Sequence, residues 1–107
     1  MAKQLTFSYN GKDYTLEFTR ATIRQMEAHG FVIDEIETKP MTVISDLFRG
    51  AFLAHHPLAK PREIDEIYEH MANKTSLIKR LNEMYNEPIS SLVDEDKEGN
   101  AEWTPNW

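Results

Sequence analysis

The sequence predicts an α+β domain: an N-terminal β-hairpin packed on a small bundle of about four helices, followed by an acidic, flexible C-terminal tail. Three observations carry this reading. Apolar and polar residues alternate on both sides of Asn10-Gly11. Apolar residues then recur at helical spacing from Ile23 to Val93. From Asp94 onward the chain turns polar and acidic. The boundaries that follow are one domain over residues 1–93 and a tryptophan-containing tail over residues 94–107.

In the hairpin, Leu5, Phe7 and Tyr9 alternate with Gln4, Thr6 and Ser8, while Tyr14, Leu16 and Phe18 alternate with Thr15, Glu17 and Thr19. Asn-Gly is the favoured pair for a two-residue type I′ turn, because both positions need positive φ. With Asn10-Gly11 as the loop, Tyr9 faces Lys12, Phe7 faces Tyr14 and Leu5 faces Leu16, and the apolar side chains share one face. A one-residue slip of either strand would mix the faces. A lone hairpin is marginal in water, so this face must pack on helices.

Thr19 is placed to cap a helix over residues 20–29, with Ile23 and Met26 turned inward and Gly30 supplying the left-handed residue that ends it. Phe31 would then reach back to Met26. Residues 31–37 read either as one short helical turn or as an extended connector. Pro40 suits a helix first turn. Met41, Ile44, Leu47, Phe48, Ala51, Phe52 and His55 follow at i, i+3, i+4 spacing, widened by Val43 and Leu53, so this is the central core helix, stopped by Pro57. Gly50 inside it costs about 1 kcal/mol against alanine, a cost that close approach of another element would explain. Pro61 opens a helix over residues 61–72 with Ile64, Ile67, Tyr68 and Met71 on one face. Asn73 or Thr75 caps the next, with Leu77, Ile78, Leu81, Met84 and Tyr85 inward, and Glu87-Pro88 opens one further turn bearing Ile89, Leu92 and Val93.

The chemistry-bearing residues point away from catalysis. The 107 residues contain no cysteine, which excludes a disulfide framework, cysteine-ligated zinc and a thiol nucleophile. The adjacent His55 and His56 point about 100° apart on a helix and cannot easily share a metal. His70 with Glu66 offers two ligands where a site needs three or four. His55 reads instead as a helix-end histidine near free carbonyls. No serine sits in a glycine elbow, and four glycines form no phosphate loop. No catalytic residue, cofactor or metal is expected, and the protein is expected not to be an enzyme. The net charge is −6, and residues 94–107 carry five acids against one base. Phosphate backbones would repel such a chain, so no nucleic-acid partner is expected. The longest apolar run, Met41 to Leu58, is broken by Asp46, Arg49 and two histidines, so no membrane span is expected. No secretory signal is read at the N-terminus, and the expected compartment is a cytoplasm.

The candidate partner-binding residues are Trp103, Trp107, Phe7 and Tyr14. The two tryptophans are the only ones in the chain, and both lie in the acidic tail. Three readings are open for them: burial of Trp103 on the body, a linear docking segment with tryptophan anchors, or strand addition in which Ala101–Thr104 pairs a hairpin edge within the chain or between copies. Phe7 and Tyr14 represent the aromatic hairpin face, should helices cover it incompletely. Met26, Met41, Met71 and Met84 could add adaptable apolar surface, or be ordinary core.

The run Leu5-Thr6-Phe7 with Asn10-Gly11-Lys12-Asp13-Tyr14-Thr15-Leu16-Glu17-Phe18-Thr19-Arg20 resembles the start of a family of small phage and prophage proteins, encoded among the tail genes of phages of Gram-positive bacteria and carried as a domain of unknown function. Gln25-Met26-Glu27, Gly30-Phe31, Lys39-Pro40-Met41-Thr42, Gly50-Ala51-Phe52-Leu53-Ala54-His55-His56, Met84-Tyr85-Asn86-Glu87-Pro88 and the terminal Trp103-Thr104 with Trp107 extend the resemblance over nearly the whole chain. The family is similar in size and genome neighbourhood to phage tail assembly chaperones. The resemblance therefore implies a non-enzymatic chaperone in the host bacterial cytoplasm, binding the tape-measure protein, with the tube protein as a second client and homo-oligomerisation as further options. The alternatives are an acidic inhibitor of a host nucleic-acid-binding enzyme and a head–tail structural subunit.

Overall fold

The computed structural model of the chain describes residues 3–93 and 101–107. It is an α+β fold: the antiparallel hairpin of β1 (Gln4–Tyr9) and β2 (Lys12–Glu17) is followed by α1 (Arg20–Ala28), a 3-10 turn (Ile33–Ile36), α2 (Pro40–Ala51), α3 (Pro61–Glu69) and α4 (Lys74–Val93). Asn10 and Gly11 have φ of 50° and 76°, as a type I′ turn demands. The register pairs Tyr9 with Lys12, Phe7 with Tyr14 and Leu5 with Leu16, as turn and alternation together predict. Burial along the hairpin is uneven. Leu16 on β2 is fully buried, whereas Leu5, Phe7 and Tyr9 on β1 are half-buried.

Local signals set the ends of α1. Thr19 accepts from the Thr22 amide (3.1 Å), and the Thr22 hydroxyl accepts from the Thr19 amide (2.9 Å). This is a capping box closed by threonine where glutamate or glutamine is usual. At the other end Gly30 has φ of 92°, its amide bonds Glu27 O (2.9 Å), and the Phe31 amide bonds Met26 O (3.0 Å). Those two bonds make a Schellman motif, and they tuck the Phe31 ring into the core. The connector from Phe31 resolves into the single 3-10 turn.

The core gathers Leu16, Phe18, Ile23, Met26, Phe31, Val43, Leu47, Phe48, Ala51, Phe52, Ile64, Ile67, Leu77, Leu81, Met84 and Tyr85. Phe48 is 1% exposed and meets Phe52 and Tyr68 edge-on, with centroids 5.2 and 5.1 Å away. Tyr85 is the second hub, edge-on to Phe18 and to Phe31, each at 5.4 Å. Gly50 faces the Met26 side chain so closely that a Cβ would collide with its thioether. The expected close approach is thus made by α1.

Four boundaries or faces differ from the sequence reading. Met41 is 87% exposed and Val43 takes the inward place, because only one side of the first turn of α2 is covered. The regular part of α2 ends at Ala51, well before Pro57. The Phe52 and Leu53 amides tighten to i−3 carbonyls, and the following turns carry His55 and His56 sideways to the hairpin. α3 stops at Glu69, three residues before the expected end. Pro88 lies inside α4, which continues through it to Val93. The lost bond to Met84 O is tolerated in a stretch where Ile89, Leu92 and Val93 are exposed and little packing is at stake.

Candidate partner-binding site

Phe7 and Tyr14 sit opposite each other across the strands and stack with centroids 5.2 Å apart and an interplanar angle of 17°. Both lie edge-on to Phe52, at 6.5 and 5.7 Å. Half-buried, they fasten the hairpin to the end of α2 and leave only their outer rims to solvent. Lys12 lies over the Tyr14 ring at 5.3 Å.

Histidines complete this fastening, and sequence reasoning missed their role. His56 Nε2 accepts the Thr15 amide at 3.0 Å, and its ring lies 5.1 Å from that of Tyr14. Burial first, then Lys12 and His55, hold the His56 pKa below the usual imidazole value. The neutral ring is the form able to accept that amide. His55 Nε2 meets Glu17 Oε1 at 2.7 Å, and Gln4 donates to the same oxygen at 3.0 Å. These hydrogen bonds, led by that of His55, lower the Glu17 pKa. His55 therefore serves a carboxylate on β2, and the helix-end reading is corrected. His70 Nδ1 lies 2.9 Å from Glu66 O and 3.4 Å from the Tyr9 hydroxyl, tying the hairpin tip to the end of α3. Among the described residues no three His, Asp or Glu side chains gather as a metal-binding group.

Trp103 and Trp107 stand apart from this cluster. They are 81% and 100% exposed, on a segment, residues 101–107, with neither helix nor strand. The structure does not fold Trp103 onto the body. The acidic residues 94–98 that precede this segment lie outside the described residues, and so does the flexibility expected of them. Where β1 passes α4, an open cleft of about 480 Å³ is lined by Lys3, Gln4, Leu5, Arg80, Glu83 and Met84. Among the described residues no helix is long and apolar enough to cross a membrane.

The family model for a domain of unknown function, DUF5055, matches residues 1–107. The chain belongs to this family. No curated protein and no solved structure matches it. Hairpin, helices and terminal tryptophans thus all fall within one family unit spanning the whole DUF5055 match.

Proposed function

We propose that this DUF5055 protein is a non-enzymatic, protein-binding assembly factor: a phage tail assembly chaperone that holds the tape-measure protein in the host bacterial cytoplasm until tube subunits enclose it. The observation that carries the reading is the exposure of Trp103 and Trp107 on the C-terminal segment. Two large aromatics left in water on one short stretch are anchors without a pocket, and a helical, aggregation-prone client supplies apolar grooves for them. The acids at 94, 95, 96, 98 and 102 orient the segment toward basic client surface and keep the free protein soluble. The resemblance of the sequence to phage tail-region proteins selects the client.

Co-expression with phage tape-measure and tube proteins tests this. The full-length chain should co-purify with the tape-measure protein. Trp103→Ala with Trp107→Ala should weaken the complex by at least ~2 kcal/mol, about thirtyfold. Salt should weaken it only in part, because apolar anchors are not screened. A double variant that binds as the parent does, or a parent that binds neither tail protein, refutes the proposal.

A further inference from the structure

The two edges of the hairpin are not equivalent. The Thr15 amide leaves the ladder to reach His56, so Thr15 and its partner Thr6 form a non-hydrogen-bonded pair. Alternation then directs the backbone groups of Gln4, Thr6 and Ser8 away from β2. Among the described residues no backbone partner meets them. The β2 edge is occupied by His56, and the β1 edge is open. Beside it Leu5 and Phe7 are half-buried, and the cleft against α4 has Lys3, Arg80 and Glu83 on its walls. The Lys3 and Arg80 side chains keep 56% and 71% of their surface in solvent despite loose contacts to Glu87 and Glu83. An unpaired edge flanked by half-covered apolar residues is a template for strand addition.

We infer that the β1 edge and the cleft beside it bind the C-terminal segment of a second copy of this chain as an added strand. The segment has the required chemistry. Ala101 and Trp103 fall on one face of an extended stretch and Glu102 and Thr104 on the other, and Pro105 ends it. Trp103 placed toward the hairpin's apolar face would cover Leu5 over the cleft. The acids preceding it bring −4 over residues 94–107 to the Lys3 and Arg80 side. In the single chain residues 101–107 lie off the body with both tryptophans exposed, so the occupant is another copy. The segment cannot occupy a client and a second copy at once, so self-association would compete with the client docking proposed above, and its test uses the protein alone.

Because the chain's two tryptophans both belong to the segment, their emission reports its docking directly. Light scattering and tryptophan emission are followed together as the full-length protein is concentrated. The expected result is a monomer-to-oligomer transition accompanied by a blue shift. Thr6→Pro removes an outward amide and spares the β1–β2 ladder, so it should weaken association at least about tenfold with unchanged far-ultraviolet dichroism. Lys3→Glu with Arg80→Glu should do the same without touching the backbone, and decides the matter if the proline variant misfolds. Any of three outcomes overturns the inference. One is a protein that stays monomeric with solvent-exposed emission throughout. Another is a blue shift insensitive to dilution, which places the segment on its own chain. The third is undiminished association in the folded variants, which places the interface elsewhere.

Discussion

Gly50→Ala separates backbone preference from packing in one substitution. Inside a helix, replacing glycine by alanine should stabilise by about 1 kcal/mol. Gly50 is buried, however, and its new Cβ would run into the Met26 thioether. Overpacking a filled core costs roughly 1–3 kcal/mol. The atoms met are the far end of a flexible side chain beside an open cleft, so the clash costs about 1 kcal/mol and cancels the helical gain. Truncating the obstacle restores the gain: in a Met26→Ala background, Gly50→Ala should stabilise by about 1 kcal/mol. The coupling between the two sites is then about 1 kcal/mol, within the range for residues in direct contact. Urea unfolding read by far-ultraviolet dichroism measures all four proteins; tryptophan emission would not serve, since both tryptophans lie outside the core. Equal effects of Gly50→Ala in the two backgrounds would refute the argument that α1 dictates the glycine in α2.

Phe48→Ala should cost ~3–5 kcal/mol, because the ring is 1% exposed and bridges α2 to Phe52 and Tyr68; an unchanged melting temperature would remove it from the core. Acidification should loosen the hairpin. The folded-state pKa of His56 is lowered, so its stabilising contribution is present above the unfolded value of 6.5 and is lost as pH falls through the folded value. The Glu17 pKa is lowered too, and its contribution disappears at still lower pH, below the unfolded value of 4.5. His56→Gln keeps a neutral acceptor for the Thr15 amide beside Lys12, His55 and Glu63, so melting temperatures followed from pH 7 downward should lose the first of these two declines; an identical profile would show that His56 does not titrate with unfolding.

Much of the fold is legible wherever two local rules agree. Asn10-Gly11 and the apolar alternation independently select one register. Thr19, Gly30 and Phe31 bracket α1 through backbone bonds that depend on a few neighbouring residues. Errors arise where one pattern serves two structures. A proline preceded by a polar residue looks alike whether it starts a helix or lies within one, and at Pro88 the exposure of the following turn decides. Met41 fits the apolar spacing of α2 as well as Val43 does, yet only tertiary packing tells which side of a first turn is covered. The candidate partner residues divide in the same way. The isolation of Trp103 and Trp107 follows from their polar setting. The histidine fastening of β2 joins residues some forty positions apart, Thr15 to His56 and Glu17 to His55, and no local pattern encodes that pairing.

Pro88 has a consequence for how the molecule opens. α4 buries no residue after Tyr85, and the proline removes the one amide that would bond Met84 O. Among the described residues, the turn from Ile89 to Val93 is therefore held by its own few hydrogen bonds and by the reach of Arg20 to Ser91 at 3.4 Å. Its amides should exchange with solvent through local fraying, far faster than those around Leu81 and Tyr85, which need the whole core to open. The last turn of α4 then acts as a frangible joint: the tryptophan-bearing end can be pulled or re-aimed by a binding partner at the cost of one helical turn, leaving the core around Phe48 and Tyr85 intact.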